Sequence, residues 1–438
     1  MLESKLKLLR ATHTEIHGGQ AKIMTTQFQQ SFGSTCTARF LGSVTALILG
    51  LTFLAAPLSA QTLTTLHAFA GGTDGALPFD GVVRDTHGNL YGTTGYGGDP
   101  NCNSSFTPSG CGTVYKLDPS GKETILHAFT GASDGQVPTT QVLLSGSNLY
   151  GTTSQGGDVA SGTVFELNQK GQKVAQYSFQ GGTDASMPFA GLIQDGGAIF
   201  GTGYFGGTNG DGAVFALNCS AVATCREVVL HSFVGGANDG SNPNSALLPQ
   251  PGALVGSTVY GGSGTCNNGF AVGCGTVYKL TQSGETLLHS FTGTDGTYPG
   301  VLIPDGKSGF YGITGQGGSS GKGTVFQMSS TGVVTTLYTF MGGSDGSNPG
   351  GLIENSSGNL FGTTYGGGAS GNGTIFELSP NGQGGWTETV LYSFTNGADG
   401  GGPQPGIALD QQNHTIYGST VGGGDPSCGC GTVFALSY

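Results

Sequence analysis

Short apolar segments recur along the chain from residue 61 to the end, and each is bounded by glycine or small polar residues. The segments are rich in Val, Ile, Leu, Tyr and Phe, while Gly, Asn, Asp and Ser separate them. This pattern is typical of β-strands that end in tight turns. No helical periodicity of useful length follows Ala60. The sequence therefore predicts an all-β protein after Ala60.

Four kinds of strand follow one another in a fixed order. Examples are GLIQD (191–195), NLYGTT (89–94), GTVFEL (162–167) and ETLLHSF (285–291). The glycine of the LYGTT-like strand falls at positions 92, 151, 201, 256, 312, 362 and 418. Four strands in a unit of roughly 50 residues, repeated seven times, predict a seven-bladed β-propeller. A β-solenoid is the alternative, although its rungs are usually shorter and more uniform.

The two ends of the repeated region are offset by one strand. The region begins with a strand of the fourth kind, TLTTLHAF (62–69), and ends with one of the third kind, GTVFALSY (431–438). Pairing 62–69 with the C-terminal blade would complete that blade and remove two exposed strand edges. We therefore expect residues 61–438 to form one propeller domain whose ring is closed by the strand 62–69.

The first 60 residues have the composition of an export segment. They contain five of the 14 Lys and Arg residues, followed by an almost purely apolar stretch over 40–56 and small residues up to Ala60. This order predicts a signal peptide cleaved near Ala60, with translation starting at Met1 or Met24. A membrane anchor is the alternative, but the apolar run is shorter than the roughly 20 residues that span a bilayer. We expect a secreted or periplasmic protein with no membrane span in the mature chain.

Composition and net charge exclude several classes of protein and of binding partner. Glycine provides 86 of the 438 residues without a strict third-position repeat, which excludes collagen and long helical proteins. Residues 61–438 carry nine basic and 24 acidic side chains, a net charge of −15. Because phosphate binding needs Lys and Arg, this charge argues against nucleic acid and anionic membranes as partners. We expect a monomer.

Eight cysteines remain after residue 60, and they fall into near-neighbour pairs. Local, even-numbered cysteines in an exported chain predict disulfides that staple loops. The pairs are Cys102 with Cys111, Cys219 with Cys225, Cys266 with Cys274, and Cys428 with Cys430. The last pair is the least certain, because a single residue separates its members. No two CxxC pairs occur, so a cysteine metal site is not expected.

The repeat resembles a known tandem repeat. LHAF (126–129), GGTDG (71–75), GNLYGTT (88–94) and GTVFEL (162–167) are similar to the Gloeo-Verruco, or GloVer, repeat of exported bacterial proteins described as "choice-of-anchor". The resemblance implies export but no activity, so it transfers no catalytic residue. The order of the strands is also similar to NHL-type propellers, which implies that the GLIQD-like strand is innermost. The chain stops at Tyr438 without an anchor tail, so we expect free secretion.

Residues present in every unit are expected to be structural. His67, His127, His231 and His289 occupy a position that holds tyrosine in the other three units, which argues against a general base. An aspartate recurs at 74, 134, 184, 239, 295, 345 and 399, and a proline follows each one four residues later in what we call the DGxxP turn. Such an aspartate suits a turn in which the carboxylate accepts backbone N–H groups. A calcium site at these aspartates is the alternative. We predict no other cofactor and no catalytic residue.

The loops between second and third strands vary most, and in a propeller they share a face with the DGxxP turns. A position just before their Gly-Gly pair reads Tyr96, Gln155, Phe205, Tyr260, Gln316, Tyr365 and Val421. Aromatic residues there, together with Tyr204 and Phe270, are candidates for stacking against sugars. The alternative is that they pack between blades.

We therefore expect a binding or scaffolding propeller whose partner is an extracellular or cell-surface polysaccharide. A carboxylate- or metal-dependent lyase or hydrolase acting on glycans or lactones is the second hypothesis. It would use Asp99, Asp158, Asp211 or Asp425. The third hypothesis is a purely structural envelope or matrix protein.

Overall fold

The computed structural model describes residues 61–102, 109–219, 225–266 and 272–438. The predicted signal peptide and the alternative start at Met24 lie outside these residues, as does Phe270. Within the described residues no helix is long and apolar enough to cross a membrane.

Seven antiparallel sheets of four or five strands form the blades of a propeller in the described chain, which confirms the predicted fold, and one two-stranded sheet accompanies them. Blades are numbered here in the chain order of their first strands. The first strands are Val83–Arg84, Leu143–Ser145, Ile193–Asp195, Leu248–Gln250, Thr297–Pro304, Ser347–Glu354 and Ala408–Asp410. The second strands are Leu90–Thr94, Asn148–Gln155, Ala198–Gly203, Ala253–Gly261, Phe310–Gln316, Leu360–Gly366 and Thr415–Gly422.

The third and fourth strands form the outer half of each blade. The third strands are Thr113–Leu117, Thr163–Asn168, Ala213–Cys219, Thr276–Thr281, Thr324–Met328, Thr374–Pro380 and Thr432–Ser437. The fourth strands of blades 1 to 6 are Glu123–Ala128, Lys173–Ser178, Cys225–Ser232, Gly284–Ser290, Val334–Thr339 and Trp386–Ser393. Further short strands are Gln136–Pro138, Ala185–Ser186, Phe205–Gly206, Gly240–Pro243 and Gly401–Pro403, with 3-10 turns at Gly72–Asp74 and Ala132–Asp134.

The strand Thr62–Ala68 provides the fourth strand of blade 7. It pairs antiparallel with Thr432–Ser437, from Thr62 opposite Ser437 to Ala68 opposite Thr432. The N–H of Phe69 then donates to the carbonyl of Gly431 at 3.0 Å. The predicted closure of the ring by the N-terminal strand is therefore confirmed.

A ring of aromatic contacts joins the blades. The phenylalanine that ends each LHSF-like strand is fully buried and packs on a third-strand aromatic ring of the next blade, as Phe69 does on Tyr115 at 5.2 Å. That second ring lies over the glycine of the LYGTT-like strand. A Cβ atom on Gly92 would stand 2.3 Å from the hydroxyl of Tyr115, so any larger side chain would displace the ring. The packing explains why glycine recurs at this strand position.

A second set of contacts joins neighbouring blades through the backbone. The residue before each DGxxP proline has a left-handed φ, for example 55° at Leu77, and its N–H donates to the preceding blade. The N–H of Leu77 reaches the carbonyl of Cys430 at 2.8 Å, and that of Val137 reaches Cys111 at 2.9 Å. Non-glycine residues adopt this conformation only where the surrounding structure imposes it. The residue before each proline therefore anchors the segment that leads into the first strand of its blade to the preceding blade.

Candidate ligand-binding face

The loops between second and third strands lie against the DGxxP turns, as expected. In blade 1 the N–H of Gly98 donates to the carbonyl of Gly72 at 2.7 Å, and the corresponding contact is present in all seven blades. These two loop classes form one face of the propeller, which we call the loop face.

The seven DGxxP aspartates bind their own loops. Asp74 accepts the backbone N–H of Ala70 at 2.6 Å through Oδ2 and lies 3.2 Å from Nε2 of His67 through Oδ1. The other pairs of ring and carboxylate are His127–Asp134, Tyr177–Asp184, His231–Asp239, His289–Asp295, Tyr338–Asp345 and Tyr392–Asp399. We call these seven contacts the junction pairs. Each aspartate serves a separate blade junction, so the seven carboxylates do not converge on one ion.

All four predicted disulfides are present. Cys102–Cys111, Cys266–Cys274 and Cys428–Cys430 staple loops of the loop face, while Cys219–Cys225 joins paired positions at the end of a hairpin. Both sulfur atoms of Cys102–Cys111 lie beside Gly131, and that of Cys266 lies beside Gly293, in the neighbouring DGxxP turns. These two disulfides therefore hold the variable loops of blades 1 and 4 against the DGxxP turn of the next blade.

The aromatic candidates do not form one ring of equivalent residues. The left-handed glycine pairs of blades 6 and 7 are Gly367–Gly368 and Gly423–Gly424, so Tyr365 and Val421 lie one position earlier than Tyr96 does in blade 1. In these blades Gly366 and Gly422 occupy the position that Tyr96 holds in blade 1. The expectation of equivalence was wrong at these two positions.

Tyr96 and Tyr365 lie in different environments. Tyr96 is only 6% exposed and packs in the core of blade 1, with its ring 5.8 Å from that of Phe79. This burial fits the alternative prediction, in which the aromatic side chain packs between blades. Tyr365 is 43% exposed beside Gly402.

Five aromatic side chains cluster on the loop face across blades 3 to 5. The ring of Tyr204 lies 4.8 Å from that of Phe205 and 5.5 Å from that of Phe189, and the ring of Tyr260 lies 5.5 Å from that of Tyr298. The side chains of Tyr204 and Tyr260 interact, which connects the two groups, and burial, followed by Tyr260 and Tyr298, raises the pKa of Tyr204. We call this cluster the aromatic arc.

The aromatic arc presents open ring surface. Phe189 and Phe205 are 37% and 38% exposed, whereas the three tyrosines are half-buried. Phe189 and Tyr298 were missed by the sequence reasoning, because they flank the DGxxP prolines and not the Gly-Gly pairs. Aromatic residues at positions that vary from unit to unit were the available signal.

The four candidate carboxylates of an enzyme come from loops of four different blades. Asp99 accepts the backbone N–H of Asn101, and Asp158 is exposed. Burial, followed by Asp239, raises the pKa of Asp211. Asp425 accepts the backbone N–H of Ser427 and borders a hollow of about 400 Å³ lined mainly by glycine. The structure does not pair these carboxylates for acid and base roles.

Asp80 is a half-buried carboxylate that sequence reasoning missed. It follows Pro78 by two residues, where the other units have no acid. Its oxygens accept the N–H groups of Gly81, Gln141 and Gly406 at 2.8 to 2.9 Å. Burial raises its pKa, although these three donors oppose the shift. Asp80 therefore joins blades 1, 2 and 7 near the centre of the ring.

Sequence comparison agrees with the repeat structure. The family described as the Gloeobacter/Verrucomicrobia repeat matches residues 50–268 and 263–434. The chain belongs to this family. A search of curated proteins found no relative by sequence.

Two solved structures are similar to this Gloeobacter/Verrucomicrobia repeat protein at low sequence identity. The extracellular domain of a protein described as a hybrid two-component system from B. thetaiotaomicron is 13% identical with a TM-score of 0.51, over 86% of this chain and 41% of that one. The chain thus spans less than half of that structure. A gluconolactonase from Xanthomonas campestris is 12% identical with a TM-score of 0.42, over 88% of this chain and 92% of that one.

Proposed function

We propose that this chain is an exported propeller that binds an extracellular or cell-surface polysaccharide through the aromatic arc. The observation that carries the proposal is the exposed ring surface of Phe189 and Phe205, backed by three tyrosines in the same cluster. The negative face of an aromatic ring attracts the weakly positive C–H groups of a sugar, and neighbouring hydroxyl groups can pair with polar atoms. Loops on a rigid scaffold are a frequent place for binding.

The chemistry around the arc fits a neutral polar ligand. Asp211 stands in the loop that follows Phe205, and the side-chain amide of Asn242 donates to the carbonyl of Tyr204 at 3.0 Å. The loops between second and third strands contain one cation, Lys322, so an anionic polymer would find little charge to pair with. The four disulfides suit an oxidising compartment outside the cytoplasm, which supports export.

The test is a binding screen of purified residues 61–438 against a glycan array and insoluble polysaccharides, with and without calcium. We expect saturable binding that weakens about tenfold, or about 1.4 kcal/mol, in Phe205→Ala and in Phe189→Ala. Tyr365→Ala is the matched control, because Tyr365 is an equally exposed aromatic outside the arc.

Two results would contradict the proposal. One is the absence of binding to every glycan, which would favour the structural hypothesis. The other is binding that Phe205→Ala and Phe189→Ala leave unchanged while both variants keep the thermal stability of the parent protein.

A further inference from the structure

Each junction pair has a third neighbour on the fourth strand of the next blade. This third residue stands four positions before the His or Tyr of its own strand. From the His67 junction to the Tyr392 junction the third residues are Glu123, Lys173, Glu227, Glu285, Val334, Glu388 and Leu63. The junctions therefore share a pair of residues but differ in the third.

Two of the seven junctions combine an imidazole with two carboxylates. They are His67–Asp74–Glu123 and His231–Asp239–Glu285, and in each the three ligand atoms lie within 4.8 Å of one another. Among the described residues these are the groups of His, Cys, Asp and Glu with that spacing. The other two histidine junctions have Lys173 or Val334 in place of glutamate.

The distances suit a small tetrahedral cation. Zinc binds nitrogen and oxygen at about 2.0 to 2.2 Å, which separates neighbouring ligand atoms by about 3.3 Å. Nε2 of His67 lies 3.2 Å from Oδ1 of Asp74 and 3.8 Å from Oε1 of Glu123. Nε2 of His231 lies 3.5 Å from Oδ1 of Asp239. Small side-chain rotations would bring all three ligands of each group into range.

One oxygen in each group lacks a partner. Oε1 of Glu123 and Oε1 of Glu285 are shielded from solvent and accept no hydrogen bond. A buried carboxylate oxygen without a donor is costly, so a cation or a proton is needed there.

The His127 junction shows how the negative charge of the equivalent aspartate is neutralised. There the third residue is Lys173, and its Nζ atom contacts Oδ1 of Asp134. At this junction the chain itself therefore provides the positive charge that pairs with the aspartate. Where glutamate stands in place of lysine, a bound cation or a proton has to neutralise the carboxylates.

We propose that the His67–Asp74–Glu123 and His231–Asp239–Glu285 junctions are divalent transition-metal sites, best suited to Zn²⁺. Each site takes one imidazole nitrogen and two carboxylate oxygens, and water completes the fourth position. The second oxygen of each aspartate stays on a backbone N–H, of Ala70 or of Val234, which orients the ligand. The metal would link the fourth strands of adjacent blades, blade 7 to blade 1 and blade 3 to blade 4. The side chains of the first site are 12 to 25% exposed, so the ion can enter.

The test is titration of the purified, chelator-treated protein with Zn²⁺, followed by calorimetry and by metal analysis after dialysis. We expect two equivalents per chain and a higher melting temperature with zinc. Glu123→Lys and Glu285→Lys, which copy the His127 junction, should each remove one equivalent, and the double variant should remove both. Glu388→Lys is the control, because it places the same substitution at a tyrosine junction and should leave both equivalents in place.

The visible absorption spectrum of the unmodified protein with Co²⁺ is a second measurement. It needs no variant, so it does not depend on whether a variant folds. Co²⁺ should give the visible bands of a tetrahedral site, and Zn²⁺ should abolish them. The proposal is overturned if the protein binds no zinc, since a shared proton then neutralises the carboxylates. It is also overturned if binding survives the double variant. Loss of an equivalent in only one single variant overturns the other site.

Discussion

Oδ1 of Asp80 accepts the backbone N–H of Gly406 at 2.9 Å, although 326 residues separate the two. The contact joins the first blade to the last. The same carboxylate accepts the N–H of Gln141 in blade 2 at 2.8 Å through Oδ2. One side chain thus ties three consecutive blades at the point where the ring closes.

Removing this carboxylate should weaken the closed ring. Asp80→Ala leaves three backbone donors without their acceptor, and each unsatisfied buried group costs about 1 to 3 kcal/mol. Water can replace part of the loss, so we expect a loss of about 3 kcal/mol in the free energy of unfolding. Asp80→Asn should cost about 2 kcal/mol, because its NH₂ group would face a backbone N–H. Denaturant unfolding measures both values.

Asp195→Ala is the control for Asp80, because Asp195 is exposed at the end of a first strand. It should change stability by less than about 0.5 kcal/mol. Equal stabilities of Asp80→Ala and Asp195→Ala would show that the three hydrogen bonds do not hold the ring.

The N-terminal strand should be indispensable to the ring. A chain that begins at Ala70 lacks the strand Thr62–Ala68 and the fully buried ring of Phe69. Because loss of a buried phenylalanine side chain alone costs about 3 to 5 kcal/mol, we expect a larger loss and a sharply lower melting temperature. A chain that begins at Thr62 is the control and should melt like the parent. Unchanged melting after the longer deletion would refute the closure.

The fold could be predicted because its determinants are local and repeated. The strands of each unit follow from β-branched and aromatic runs between glycines, and the closure follows from the offset between 62–69 and 431–438. Glycine at position 92 is required by the ring of Tyr115 in its own blade, so the recurrence of this glycine could be seen directly in the sequence. Disulfides were predictable for the same reason, since each joins near neighbours.

The candidate site could be predicted only in part, because its contacts cross between blades. Phe189 and Tyr298 join the aromatic arc from a different loop class and from different units, which spacing alone does not show. The expected equivalence of Tyr365 with Tyr96 also failed, because Gly366 occupies the position before the left-handed glycine pair. Likewise, Glu123 meets His67 across a blade boundary, so neither residue is informative by itself.

The disulfides should contribute unequally to stability. Cys274 is fully buried in the core cluster that contains Val277 and Phe291, whereas Cys219 is exposed at the end of its hairpin. Replacing Cys266 and Cys274 by serine should cost about 3 kcal/mol, and replacing Cys219 and Cys225 about 2 kcal/mol, because the first change also buries a hydroxyl group. Thermal and denaturant unfolding of the two double variants measures the difference. A larger loss for the exposed pair would contradict this ranking.

Glu388 should make stability depend on pH. Burial, followed by the nearby Asp345, raises its pKa to about 7, and its Oε1 accepts no hydrogen bond. The folded protein therefore holds a proton that the unfolded chain releases near its ordinary pKa of 4.5. The stabilisation is complete below that ordinary value and is lost as the pH rises through about 7.

Glu388→Gln should flatten this dependence, because the amide stays neutral at every pH. Relative to the variant, the parent protein should lose on the order of 1 kcal/mol as the pH rises through this window, since partial exposure screens the charge. Melting temperatures of both proteins across the window measure the difference. Glu377→Gln is the control, since Glu377 lies one strand inward in the same blade and accepts a hydrogen bond from Asn359 at 2.6 Å. Parallel profiles for the parent and Glu388→Gln would show that Glu388 is already ionised in the folded protein and that Asp345 does not hold its proton in place.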